Sequence, residues 1–139
     1  MASIETVPAN LDWVKVQSGC LIKGAFESLR AGVEEDIKSY NAMLQLPPTH
    51  EIKISSEIST IFIAIRRSIS YAQVEFSRRG NCVEIRQSEV VDHPASFSVT
   101  PIFSNLGRCR WKFDEEELEQ WQVRRMALEK FLFPPQFVM

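Results

Sequence analysis

Residues 71–86 read Tyr71-Ala72-Gln73-Val74-Glu75-Phe76-Ser77-Arg78-Arg79-Gly80-Asn81-Cys82-Val83-Glu84-Ile85-Arg86. Ala72, Val74 and Phe76 alternate with Gln73 and Glu75, and Val83 and Ile85 alternate with Glu84 and Arg86. That is the period of two half-buried strands, one on either side of Arg78–Asn81. Gly80 and Asn81 tolerate the positive φ that a tight turn demands, so the segment reads as a β-hairpin.

The same period extends outward from the hairpin. Upstream, Ile52 and Ile54 alternate with polar residues. Thr60 to Arg66 is apolar and β-branched at nearly every position, which reads as a central strand covered on both faces. Downstream, a loop around Asp92-His93-Pro94 precedes Ser96–Phe103. A turn at Asn105-Leu106-Gly107 then leads to Arg108–Phe113, with Cys109, Trp111 and Phe113 inward. Turns this short join antiparallel neighbours, because parallel ones need long crossovers. The expectation is a meander of about four to five strands.

Helical spacing flanks the sheet. Ile22, Ala25, Phe26, Leu29, Val33, Ile37, Tyr40 and Leu44 fall three and four apart, and the stripe reaches back through Val14 to Leu11. Gly19 and Gly24 each weaken a helix by about 1 kcal/mol, so a break near them is open. Pro47-Pro48 ends the element. Ser18, Ala25 and Gly32 form a row of small residues along one edge of the stripe. At the other end Asp114, with Glu117 three residues on, has capping-box spacing, and Leu118, Trp121, Leu128, Phe131 and Leu132 form an apolar stripe. The order helix, strands, helix gives an α+β fold with a long N-terminal helix, an antiparallel meander and a C-terminal helix in a two-layer sandwich. Residues 1–139 read as one domain, with 1–9 a loose lead-in and 134–139 a tail. The expected core includes Phe26, Leu29, Val33, Ile37, Val74, Phe76, Val83, Ile85, Trp111, Phe113, Trp121 and Leu128.

Chemistry is sparse. The chain has no phosphate loop, dinucleotide glycine fingerprint, HExxH or GxSxG, so no cofactor is expected. Cys20, Cys82 and Cys109 are far apart and two histidines complete the soft ligands, so no metal site and no disulfide are expected. Three reduced thiols, no leader-like apolar run and no membrane-length segment suggest a cytoplasmic chain. A catalytic set of Cys82, His93 and Asp92 requires contact across a strand of about 20 Å, which argues against it.

Charge supplies the binding candidates. Arg86, Arg108, Arg110 and Lys112 all fall on the polar side of the sheet, a basic face without interleaved aromatics. The net charge of −2 argues against a nucleic-acid binder, which draws its affinity from neutralising phosphates. Two charges interrupt apolar stripes: Arg125 on the last helix and Asp36 on the first. Pairing of Arg125 with Asp36 across the helices is one reading. An Arg125 that snorkels to water is a second, and an Arg125 that binds an anionic ligand is a third. The ranking that follows places a non-catalytic protein-binding or self-associating module, such as a homodimer, first. A small-molecule or enzymatic domain with a helix–sheet pocket, lined by Phe26, Tyr40, Trp111 and Trp121, is second. Nucleic-acid binding through the basic face is third.

Overall fold

A computed structural model describes residues 12–67, 71–89, 95–104 and 107–133. Three helices and a seven-stranded antiparallel sheet make the chain an α+β protein. The N-terminal helical stretch is not one helix. It divides into α1 (Trp13–Gly19) and α2 (Ile22–Leu44), with Leu21 extended at φ −69° and ψ 161° between them. The corner is tight because Gly24 has no side chain: a Cβ there would come 2.8 Å from the Gly19 carbonyl oxygen. At the far end Gln45 turns left-handed at φ 51°, and its N–H caps the carbonyl of Ala42. The prolines follow directly.

The strands are β1 (Lys53–Ile58), β2 (Ile61–Arg66), β3 (Ala72–Arg79), β4 (Cys82–Glu89), β5 (Ala95–Phe103), β6 (Cys109–Phe113) and β7 (Glu116–Leu118). Each pairs antiparallel with its sequence neighbour, so spatial order equals chain order. The β3–β4 hairpin closes at Arg79↔Cys82, with Gly80 at φ 58°. Two expectations need correction here. First, β2 lies beside the edge strand; Phe62 and Ala64 are buried, but Ile61 and Ile63 on the opposite face are partly exposed. Second, the strands number seven rather than four or five, and one of them is made from residues expected to start the last helix. Asp114 is no N-cap: it takes φ 53° and turns the chain back, so that Leu118 pairs with Trp111 and is buried beside it. The helix α3 (Gln120–Leu132) begins later, where Glu119 and Gln122 form the reciprocal capping box.

The core lies between the helices and one sheet face. Phe26 meets Phe62 at 5.3 Å between ring centroids, and Phe62 stacks on Phe76 at 4.5 Å. Leu29, Val33 and Ile37 of α2 and Val123, Ala127 and Phe131 of α3 complete the layer. Polar side chains fasten the helices to the sheet. Asn41 donates to the carbonyl of Ile52 at 3.0 Å and accepts from its N–H at 3.1 Å. Gln87 donates to the carbonyls of Met126 and Ala127, at 3.1 and 2.8 Å. Of the expected core, Phe113 is only partly buried and Trp121 is exposed. The buried direction of α3 centres on Val123, Ala127 and Phe131, which turns Trp121 to the margin.

Cys20 and Cys109 are joined in a disulfide, with Cα atoms 5.2 Å apart and a sequence separation of 89. The expectation of three free thiols is therefore corrected. Only Cys82 is free. The bridge ties the α1–α2 corner to the start of β6.

Candidate functional site

The helices α2 and α3 run side by side in the same direction. Near their N-terminal ends Gln120 donates to Ser28 at 2.9 Å. One turn on, the bare Cα of Gly32 leaves room for the Arg124 side chain, which a Cβ would strike 2.8 Å from Cδ. Of the row of small residues, this is the member that admits a neighbour from α3. The Arg124 guanidinium also forms an ion pair with Asp36, its Nε 2.9 Å from Oδ2. The expected Asp36–Arg125 pair therefore does not form, and the neighbouring arginine takes Asp36 instead. At about 100° per residue, Arg124 lies between the directions of Ala127 and Leu128, whereas Arg125 lies about 60° beyond Leu128. Arg125 accordingly points out and pairs with Glu129 on its own helix, at 3.2 Å. Burial raises the carboxyl pKa of Asp36 above its ordinary value, and Arg124 pulls in the opposite direction without cancelling it.

Past this ion pair the helices part, leaving a groove of about 430 Å³. Leu128 and Leu132 form its floor and Tyr40 meets Phe133 edge-on at 5.6 Å. Its walls carry Met43, Phe133, Trp121 and Leu44, which are 79%, 64%, 53% and 51% exposed. Four large apolar side chains, each more than half in water, thus line one concavity. The charges at its rim, Asp36 with Arg124 and Arg125 with Glu129, cancel in pairs.

The remaining sequence candidates are placed as follows. Arg86 lies on the outer sheet face, 3.7 Å from Glu84. Arg110 contacts Glu119 at 3.3 Å and Glu117 at 3.7 Å, and Arg108 contacts Glu119 at 3.7 Å. Lys112 is exposed and stands opposite Glu117 in the β6–β7 ladder. Residues 116–119, expected within the first turns of the last helix, instead form β7 and the N-cap of α3, which sets Glu117 and Glu119 beside the arginines. Carboxylates thus stand beside Arg86, Arg108 and Arg110 of the basic face.

Phe26 and Trp111 sit in the packed core while Tyr40 and Trp121 line the groove, so these four do not enclose one cavity. Asp92 and His93 lie outside the described residues. Among the described residues no group of three or more His, Cys, Asp or Glu could hold a metal ion. No described helix is long and apolar enough to cross a membrane. Sequence reasoning missed Met43 and Phe133. The available signal was apolar residues at the ends of both helices that exceed a single stripe.

Comparison with known proteins gives no match to a family model, a curated protein or a solved structure.

Proposed function

We propose that the chain is a non-catalytic protein-binding module whose α2–α3 groove takes two or three apolar side chains from a short segment of a partner. The carrying observation is the convergence of Met43, Leu44, Trp121 and Phe133, all largely exposed, on one concavity. Contiguous exposed apolar surface on a soluble fold marks an interaction site, and aromatic side chains in a pocket are the usual energetic centres of interfaces. The size of the groove suits a few side chains rather than another domain's face. Its pairwise-neutral rim favours an occupant without net charge at its centre.

Selection of short random peptides on the native protein tests this reading. Selected binders are expected to share closely spaced apolar positions and to lose affinity about tenfold or more with Trp121→Glu. Because Trp121 is half exposed, that variant should melt close to the wild type. Binders indifferent to Trp121→Glu would remove the groove from the reading. A concentration-dependent dimer abolished by Trp121→Glu would assign the groove to self-association instead.

One observation favours the small-molecule alternative: the volume of the groove falls within the range of about 300–1,000 Å³ typical of ligand pockets. A co-purified mass lost with Trp121→Glu in native mass spectrometry would support it.

A further inference from the structure

A second recess lies on the opposite face of the sheet, away from the helices. Among the described residues the edge strand β1 pairs with β2 alone, and the ladder is irregular between Ser55 and Ile58. Along β1, Ile54 packs against the core, Ser55 faces outward, and Ser56 turns back to accept a hydrogen bond from Arg30 of α2 at 3.2 Å. Strict alternation would send Ile58 to the helical side. The irregularity instead puts it on the outer face, where it is 55% exposed. There Ile58, Ile61 and Ile63 form the floor of a recess of about 280 Å³, and Glu57 and Glu75 stand at its rim.

Neither rim carboxylate has a cation among the described residues. Glu75 accepts a hydrogen bond from Ser77 at 2.9 Å. Its cross-strand neighbour is Arg86, but Arg86 turns to Glu84, as does Arg79 at 2.9 Å. Arg79 and Arg86, the arginines nearest the recess, are thus both drawn to Glu84, and among the described residues the carboxylates beside the isoleucines are left uncompensated. An apolar floor under two carboxylates is the complement of a long basic side chain. The methylene stem lies on the isoleucines and the cation meets the acids. The neighbouring open strand offers main-chain hydrogen bonds to an extended segment, with alternate side chains reading the face beside it.

We infer that this edge receives an extended segment of a partner protein, added as a strand to β1, whose arginine or lysine enters the recess between Glu57 and Glu75. This site is separate from the α2–α3 groove and does not depend on it. A second copy of this chain fits less well, because β1 carries no arginine and its Lys53 is held by Glu51 at 3.4 Å.

Blocked peptides of alternating valine and threonine, with arginine or norleucine at the central position, provide the test. Binding is followed by fluorescence anisotropy at low salt. The arginine peptide is expected to bind about tenfold more tightly than the norleucine peptide. The near-isosteric Glu57→Gln/Glu75→Gln double variant, checked by thermal melting, should shrink that preference to about twofold or less. Trp121→Glu should leave it unchanged, which separates this site from the groove. Equal binding of the two peptides, or a preference that survives the double variant, overturns the inference. So does efficient disulfide capture of a β1–β1 dimer by Ser55→Cys without peptide, which would assign the edge to self-pairing.

Discussion

Asp36 meets Arg124, not Arg125, across the α2–α3 contact, at 2.9 Å. Both partners are partly exposed, so the coupling between them should be modest. A double-mutant cycle on Asp36→Asn and Arg124→Met is expected to give about 0.5–1 kcal/mol in denaturant unfolding. The parallel cycle with Arg125→Met should give almost none. The reverse result would place Arg125 on the helix contact.

The Asp36 carboxyl also makes a prediction about pH. Burial raises its pKa in the fold above the ordinary 3.8, and the pull of Arg124 does not cancel that. The folded protein therefore holds this proton more tightly than the unfolded chain does. The stability contributed by protonated Asp36 is full below about 3.8 and is lost as pH rises through the folded value. Relative to Asp36→Asn, the wild type should thus lose stability as pH is raised from acid toward neutrality. Paired denaturant melts across that range measure it. A wild-type advantage that grows with pH would mean that the ion pair outweighs burial. Favourable coupling to Arg124 and a net cost of burial are compatible, because desolvation is a separate contribution.

Substitution at the α1–α2 corner should run against helix propensity. Alanine normally gains about 1 kcal/mol over glycine inside a helix. At Gly24 the added methyl meets the Gly19 carbonyl at 2.8 Å, and that is backbone, which cannot swing aside. Gly24→Ala is expected to lower stability by about 1–3 kcal/mol. Gly19→Ala, where a Cβ meets nothing within 4 Å, should be neutral or mildly stabilising. An unchanged midpoint for Gly24→Ala would show that the corner opens without cost.

Thiol titration of the unfolded, unreduced protein should find one reactive thiol, that of Cys82. Because the Cys20–Cys109 bridge closes a long loop, its reduction is expected to remove about 2–4 kcal/mol of stability. Cys20→Ser/Cys109→Ser should match the reduced wild type. Three free thiols would refute the bridge.

What could be read in the sequence was what local chemistry decides. The β3–β4 hairpin needs only alternation and a turn at Gly80, both present within a dozen residues. The α2 stripe needs only its own periodicity. What could not be read depends on distant partners. Glu116–Leu118 resembles the first turn of a helix until Trp111 is available to pair with Leu118. Cys20 and Cys109 carry no mark of each other across 89 residues. The choice between Arg124 and Arg125 depends on the rotation of α3, which the sheet beneath it sets. The candidate site followed the same division. The basic residues were legible, but not the return of the chain that sets Glu117 and Glu119 beside Arg108 and Arg110. The groove depends on where two distant helices part, which no local pattern reports.

The two walls of that groove, residues 36–44 and 121–133, are separated by every strand of the sheet. Each strand pairs with its immediate predecessor, so the sheet can assemble by successive short loop closures, the inexpensive kind. The α2–α3 contact is different: α3 is fastened to β4 through Gln87, so the contact joins elements that flank the whole sheet in sequence. A partially folded chain displays either wall alone, without the concavity between them. A partner that requires the concavity is therefore expected to engage only molecules in which both helices have docked.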